Sequence, residues 1–259
     1  HRSSSTSATG TCAALRIAAH RSFYFPGVLV GPSTRFQDYR RWSRGEFYAV
    51  PGSPPALMAS PPPGRFPVAV SEIVFAFVVL AVQARFQDRL NYERLSDPSD
   101  SIQSRPLLVR ILFLQAAGVN ARVRYYAVWG LSNAACIGSG LGFSGWDPHK
   151  GIASWSRGRN VDMLAFEFGS NFKEMLDVWN INTSVWLRNN VYKRVTPPGR
   201  RPGFRSLIVT FLVSAFWHGV APGYYFTFLL GGFYQYLGRL LRKSVRPIFF
   251  ENTRRPDPT

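Results

Sequence analysis

The sequence predicts an all-α fold, specifically a polytopic membrane helical bundle with interfacial amphipathic helices. Hydrophobic residues make up 46% of the 259 positions, and they collect in long runs that carry few charges. Lysine and arginine number 31 against 14 aspartates and glutamates, which gives a net charge of +17. These cations stand beside the apolar runs, a position that suits lipid headgroups and the edges of membrane spans. The pattern therefore favours a lipid bilayer as the partner, and we expect no nucleic-acid partner.

The run at 67–84 is the strongest membrane candidate. Glu72 is its only charge, and its length is close to the roughly 20 residues of a spanning helix. The alternative is a buried helix of a soluble protein, which is less favoured because several apolar runs follow along the chain. The Pro-, Gly- and Ser-rich connector at 50–66 precedes this run, and we expect no regular structure there.

The second apolar run, at 107–143, is interrupted by Arg110, Arg122 and Arg124. Cations inside a membrane are costly, so we expect these three near an interface or facing a wet protein interior. Small residues in the second half of the run would let another helix approach closely. The turn-rich polar segment at 144–162 is expected to lie outside the bilayer.

Farther along, Leu187, Val191 and Val195 recur at every fourth position among cations. This spacing predicts an amphipathic helix that lies in the membrane interface.

Two further apolar runs, at 207–220 and 224–238, would form helices of about 21 Å each, shorter than the roughly 30 Å hydrocarbon core. Pro222 and Gly223 separate them. We therefore expect this break at membrane depth, or as a bend in one longer span.

His218 ends the first of these two runs, between Trp217 and Gly219. An ionisable side chain at membrane depth is a functional-site hypothesis by default. Desolvation keeps such an imidazole neutral, and a neutral imidazole can accept a proton as a general base. The alternative is a structural histidine packed on an apolar helix.

Cys12 and Cys136 are the two cysteines of the chain, and they show no Cys-x-x-Cys or Cys/His spacing. We therefore predict no disulfide framework and no metal site. The opening at 1–22 is rich in Ser, Thr and Ala, and we expect it to be a low-complexity segment that is disordered or a non-native start. The folded domain is predicted at 23–259.

Four stretches carry a resemblance to a known family. They are FPGVLVGPSTRFQDY at 25–39, RYYAVWGLSNAACIGSGLGFSGW at 124–146, WNINTSVWLRNNVYKRV at 179–195 and SAFWHGVAPGYYFTF at 214–228. Together they resemble the membrane-bound O-acyltransferase (MBOAT) family, in particular its lysophospholipid acyltransferase branch. The resemblance implies that 23–259 is part of an MBOAT catalytic domain. Family members have more spanning helices before the Gly-Pro stretch, so we expect this chain to be an N-terminally truncated piece.

The resemblance also implies residue roles. His218 corresponds to the catalytic histidine of the family, and Asn180 corresponds to its partner asparagine. The implied reaction moves an acyl chain from acyl-CoA to the free hydroxyl of a lysophospholipid, with His218 as general base. Acyl-CoA is then a co-substrate, and no resident cofactor is expected. The family further implies the endoplasmic reticulum membrane.

Arg188, Lys193 and Arg194 suit the phosphates of coenzyme A, because cations recognise such groups. Contact with anionic headgroups is the open alternative for these three cations.

Two other functions remain open from the sequence. One is a protein or sterol O-acyltransferase of the same family. The other is a non-enzymatic basic membrane protein that binds anionic lipid.

Overall fold

The computed structural model describes residues 19–24, 27, 31, 34–48, 60–147 and 151–249. The opening segment through residue 18, with Cys12, and most of the predicted connector at 50–66 lie outside the described residues. The chain divides into two compact units, His1–Val161 and Asp162–Thr259.

The first unit is built on two long helices. Its elements are α1 (Phe36–Ser43), α2 (Arg65–Phe86), α3 (Glu93–Ser96), a 3₁₀ turn (Ser101–Ser104), α4 (Leu107–Ser139), β1 (Gly145–Trp146) and β2 (Ala153–Ser154). Helices α2 and α4 pack against each other along their length. The two short strands pair antiparallel, with Gly145 opposite Ser154.

The predicted helix at 67–84 is confirmed as α2, which extends slightly beyond both ends of that run. Among the described residues, it is the one helix long and apolar enough to cross a membrane. Most of its surface is exposed. Glu72 is half-buried and faces Asn133 of α4, whose amide Nδ2 donates a hydrogen bond to the Glu72 Oε1 at 3.1 Å.

The second apolar run forms a single helix of 33 residues, α4. It ends at Gly140, whose φ of 89° lies in the left-handed region. A Cβ atom at Gly140 would clash with the hydroxyl oxygen of Tyr48, so the close approach requires a glycine. The small residue Gly130 lies beside Ala76 and Glu72 of α2, as the sequence predicts for a close helix contact.

Aromatic rings form the core of the first unit around the end of α4. Tyr24, Tyr39 and Trp42 pack edge-on or tilted, with ring centroids about 5.5 Å apart. The indole of Trp42 donates to the Ser139 carbonyl oxygen at 3.2 Å, and Tyr24 shares a hydrogen bond with the Ser139 hydroxyl. These contacts join α1 to the end of α4, although about a hundred residues of chain separate them.

The second unit is built mainly from helices. They are α5 (Met163–Glu167), α6 (Phe172–Val178), α7 (Ile181–Leu187), a π-helical segment (Arg188–Tyr192), α8 (Phe204–His218), α9 (Pro222–Ser244) and α10 (Arg246–Phe249). Helices α8 and α9 form an antiparallel hairpin. Phe204 at the start of α8 contacts Tyr236 near the end of α9, and His218 at the end of α8 contacts Tyr224 near the start of α9.

The predicted amphipathic α-helix through Val195 is wrong in its second half. The chain leaves α geometry at Arg188, and the Lys193 N–H bonds to the Arg188 carbonyl at 3.1 Å, five residues back. A π turn holds more residues than an α turn, so the fourfold spacing of Leu187, Val191 and Val195 does not mark one α-helical face. The helical segment ends at Tyr192.

The last helix is longer than the apolar run that predicts it. Helix α9 begins at Pro222, because a proline at the first helical position has a suitable φ and needs no N–H partner. Its 23 residues extend to Ser244 and measure about 34 Å, whereas the 15 residues of α8 measure about 22 Å. Pro222 therefore starts a helix and does not bend one.

Candidate active site

The α8–α9 hairpin positions His218, and its packing depends on two adjacent glycines. Gly231 and Gly232 of α9 lie against Phe211 and Ile208 of α8. A Cβ atom on Gly231 would lie 3.2 Å from the Phe211 ring, and one on Gly232 would lie 3.0 Å from the Ile208 Cδ1. Small residues here let the two helix axes approach closely. The ends of the hairpin are thereby held in fixed register.

His218 is the last residue of α8 and lies among aromatic rings. Its imidazole centroid is 4.8 Å from Trp217, 4.8 Å from Phe228 and 5.6 Å from Tyr224. Phe228 and Tyr224 come from the first two turns of α9, so the hairpin turn itself brings them to the imidazole. No acid is among the residues shown in contact with His218 in the described part of the chain.

The imidazole is exposed within the described chain. The side chains around it are exposed as well, with Phe216, Trp217 and Val220 at 70%, 65% and 85%. The three rings in contact with His218 therefore leave part of the imidazole accessible.

Gly219 ends α8 and sets the turn into α9. Its φ of 129° lies where side chains are strongly disfavoured, and its N–H bonds to the Phe216 carbonyl at 3.1 Å. The C-terminal end of a helix carries partial negative charge. This partial negative charge therefore lies beside the imidazole of His218.

Asn180 is the N-cap residue of α7 and has φ 47° and ψ 51°. Among the described residues it is the one non-glycine with positive φ. Its carbonyl accepts the Ser184 N–H at 2.9 Å, while its side chain does not cap α7 within the described contacts. Asparagine tolerates this left-handed conformation better than most residues. Backbone strain of this kind collects at functional sites, which keeps Asn180 as a candidate.

Asn182 and Thr183 follow the cap position and lie in the first turn of α7.

His218 and Asn180 lie in the same unit, on different helices. The contacts shown for His218 are with the three aromatic rings, and those shown for Asn180 are with its own helix. Their direct pairing stays a prediction.

The three predicted phosphate-binding cations are exposed, and they lie in or just after the π-helical segment. Lys193 Nζ donates to Asn189 Oδ1 at 2.9 Å. Thr196, two residues after Arg194, shares a hydrogen bond of 3.0 Å with Ser206 at the start of α8. Ser206 is about 18 Å along α8 from His218. The structure therefore places Arg194 near the opposite end of α8 from the imidazole.

The sequence did not predict two contacts, that of Phe228 with His218 and that of Arg239 with Tyr192. Phe228 lies against the imidazole, and the Arg239 Nη1 donates to the Tyr192 hydroxyl at 3.3 Å. The signal for Phe228 was present, because a helix starting at Pro222 places its second turn beside the residue that ends α8. Nothing in the local sequence indicates the Arg239 contact.

The described chain is mostly helical, and α2 has the length and composition of a membrane span. The sequence matches the membrane-bound O-acyltransferase family over residues 4–258. The chain therefore belongs to this family, as the four resembling stretches predict.

Several curated relatives are similar to this chain. It is 36% identical over 235 residues to the lysophospholipid acyltransferase of Saccharomyces cerevisiae, a match that covers 88% of this chain and 38% of the relative. The lysophospholipid acyltransferase of Schizosaccharomyces pombe is 37% identical, with 88% and 44% covered. The human membrane-bound glycerophospholipid O-acyltransferase 2 is 30% identical, with 88% and 43% covered. The chain spans less than half the length of these relatives.

Proposed function

We propose that this chain supplies the catalytic part of a lysophospholipid O-acyltransferase. In this reaction an acyl chain moves from acyl-CoA to the free hydroxyl of a lysophospholipid. Family membership and the names of the similar yeast proteins support the reaction class. The observation that carries the proposal is the position of His218, which ends an apolar helix and lies among three aromatic rings.

His218 acts as the general base. The neutral imidazole takes the proton from the lysophospholipid hydroxyl as its oxygen attacks the thioester carbon. The new C–O bond forms, the C–S bond breaks, and the proton passes from the imidazolium to the departing thiolate of coenzyme A. The partial negative charge at the end of α8 stabilises the transient imidazolium. No covalent intermediate on the protein is needed.

Asn180 positions a reactant or stabilises developing charge through its amide. An amide offers both a donor and an acceptor without a net charge, which suits a carbonyl or a hydroxyl. Its left-handed backbone fixes the start of α7 and so the direction in which the side chain leaves the main chain. This role requires Asn180 to reach the same substrate as His218.

The cations at the opposite end of α8 bind the coenzyme A phosphates in this proposal. Arg188, Lys193 and Arg194 are exposed and offer charge to phosphate oxygens. The pantetheine arm of acyl-CoA then runs along the hairpin towards His218. This arrangement uses the length of α8 to separate the phosphate contacts from the thioester.

The proposal places the chain in a bilayer as part of a polytopic helical bundle. Helix α2 has the length and composition of a span, and α9 is also about as long as the hydrocarbon core is thick. Family membership supports a membrane location, and we assign the endoplasmic reticulum as the organelle.

An acceptor panel tests this function. The chain is expressed in cells and assayed in membranes with labelled acyl-CoA and, in separate reactions, lysophospholipids, a sterol and an acceptor peptide. We expect label in phospholipid above the level of membranes without the chain. Label in the sterol or the peptide would move the function to another branch of the family. Transfer to none of them would contradict the proposal for this chain.

A further inference from the structure

An apolar groove of about 350 Å³ lies on the second unit between the start of α8 and the second half of α9. It is lined by Phe204, Leu230, Phe233, Tyr234, Tyr236 and Leu237. The Phe204 ring closes one side, with its centroid 5.7 Å from Phe233 and 4.8 Å from Tyr236. Phe233 and Leu237 keep about half of their surface exposed, at 54% and 49%. An open groove with this lining suits a hydrocarbon chain.

Three exposed cations follow the groove on α9. Arg239 and Lys243 come three and seven residues after Tyr236, so they continue the same face of the helix. Arg242 comes eight residues after Tyr234 and continues the other side of the groove. The Arg239 guanidinium also donates to the Tyr192 hydroxyl at 3.3 Å. The apolar lining of the groove therefore ends at these three cations, which form the mouth of the groove.

Among the described residues, Glu174 is the acid whose interaction with one of these cations is shown. A hydrogen bond from the Ser170 hydroxyl, another from the Ser170 backbone N–H and the positive charge of Arg242 hold the pKa of Glu174 below its usual range. One carboxylate does not balance three cations. Arg200, Arg201 and Arg205 add to the positive charge, because the antiparallel hairpin brings the start of α8 to the end of α9.

We propose that this groove binds an anionic diacyl phospholipid, with an acyl chain on the apolar lining and the phosphate between Arg239, Arg242 and Lys243. Charge complementarity selects the ligand, since an excess of Lys and Arg marks the cytoplasmic side of a membrane protein and the cytoplasmic leaflet is anionic. Tyrosines such as Tyr234 and Tyr236 favour the headgroup level.

This lipid is distinct from the acyl acceptor. The groove adjoins the start of α8, whereas His218 ends that helix about 20 Å away along its axis. The proposal rests on the membrane placement argued above and not on acyl transfer. Lipid binding and catalysis can therefore fail separately.

The test compares two lipids that share their acyl chains, phosphatidylserine and phosphatidylcholine. The full chain is purified in detergent, and the apparent Kd of each lipid is measured by native mass spectrometry. We expect tighter binding of phosphatidylserine. The triple variant Arg239→Gln, Arg242→Gln, Lys243→Gln should weaken phosphatidylserine binding about a hundredfold. Each cation near a membrane surface contributes a similar amount of binding free energy, so the three losses multiply in the affinity. Binding of phosphatidylcholine should weaken less, because its cationic choline offsets the charge of the phosphate that the two lipids share.

The matched control removes the same charge from the other unit, with Arg35, Arg40 and Arg44 all changed to Gln. It should keep the phosphatidylserine affinity of the parent. The single variant Arg242→Gln, which makes the smallest change to folding, should weaken the affinity about fivefold. Leu237→Ser should weaken the binding of phosphatidylserine and leave the affinity for inorganic phosphate unchanged.

Four results would overturn the proposal. They are equal parent affinity for the two lipids, unchanged phosphatidylserine affinity in the triple and single variants, an equal loss in the control, or inorganic phosphate binding as tightly as phosphatidylserine. The last result would indicate a phosphate site with no role for the groove.

Discussion

The amide of Asn133 donates a hydrogen bond to the carboxylate of Glu72 at 3.1 Å, and this contact links the two longest helices of the first unit. Asn133 is 4% exposed, and within the described chain its Oδ1 atom has no hydrogen-bond partner. Glu72 is the one acid of α2. The pair is therefore a polar contact inside an otherwise apolar helix interface.

Removing the acceptor at position 72 should destabilise the first unit. We expect Glu72→Ala to lower the free energy of unfolding by about 1.5 to 3 kcal/mol, because it leaves the buried Asn133 amide without its partner. Glu72→Gln keeps an acceptor and should retain most of the stability. Thermal unfolding of the purified chain in detergent measures both. An alanine variant as stable as the glutamine variant would show that the contact contributes nothing.

Two glycines near the end of α4 should respond to alanine in opposite ways. At Gly140 the φ of 89° and the Tyr48 hydroxyl both oppose a Cβ atom, so Gly140→Ala should cost about 2 kcal/mol or more. At Gly138, inside α4, nothing lies within 4 Å of the new Cβ. Gly138→Ala should therefore stabilise by about 0.5 to 1 kcal/mol through helix propensity. The same unfolding measurement checks both, and equal effects would contradict the described end of α4.

Position 180 allows the backbone role to be separated from the amide role. Glycine accepts the left-handed conformation at no steric cost, so Asn180→Gly should fold like the parent but lose the amide. We expect acyl transfer by this variant to fall by about a hundredfold. Asn180→Ala should lose stability as well, by about 1 kcal/mol. Full transfer by the glycine variant would assign Asn180 a purely conformational role.

Asp100 should make the connection between α2 and α4 sensitive to acid. Hydrogen bonds from the Arg94 guanidinium and the Ile102 N–H hold the pKa of Asp100 below its usual range. Because the folded pKa is lowered, this stabilisation is present above the ordinary Asp pKa of about 3.9 and is lost as the pH falls through the lowered value.

Hydrogen exchange of the segment at 97–104 measures this effect. The parent is compared with the matched variant Asp100→Asn at each pH. Both share the intrinsic pH dependence of amide exchange, so the difference between them reports the effect of the Asp100 carboxylate. The parent should be better protected near neutral pH, and the difference should vanish in strong acid. A difference that persists in acid would contradict the assignment.

The helices were predictable from the sequence where an apolar run has clear ends. Helices α2, α4 and α8 fall on the predicted runs, because a continuous apolar run bounded by Pro, Gly or charged residues allows few other structures. The far end of α9 was missed. Arg239, Arg242 and Lys243 end the apolar pattern, yet lysine and arginine are good helix formers and the helix continues through them.

Other features depend on contacts that local patterns do not show. The π turn after Leu187 contains one more residue than an α turn, and no residue type in this segment predicts it. The packing of Tyr24 and Trp42 on Ser139 joins residues about a hundred positions apart. The sequence predicted the position of His218 at a helix end, but not the ring of Phe228 beside it.

The rate of acyl transfer by His218→Ala tests the central claim most directly. Membranes with equal amounts of the parent and variant chains are compared, with labelled acyl-CoA and a lysophospholipid acceptor, and Phe228→Leu serves as a variant that changes the surroundings of the imidazole but keeps the base. Loss of a general base should lower the rate about 10² to 10⁴-fold, whereas Phe228→Leu should retain transfer. A His218→Ala variant that transfers acyl chains at the parental rate would contradict the account.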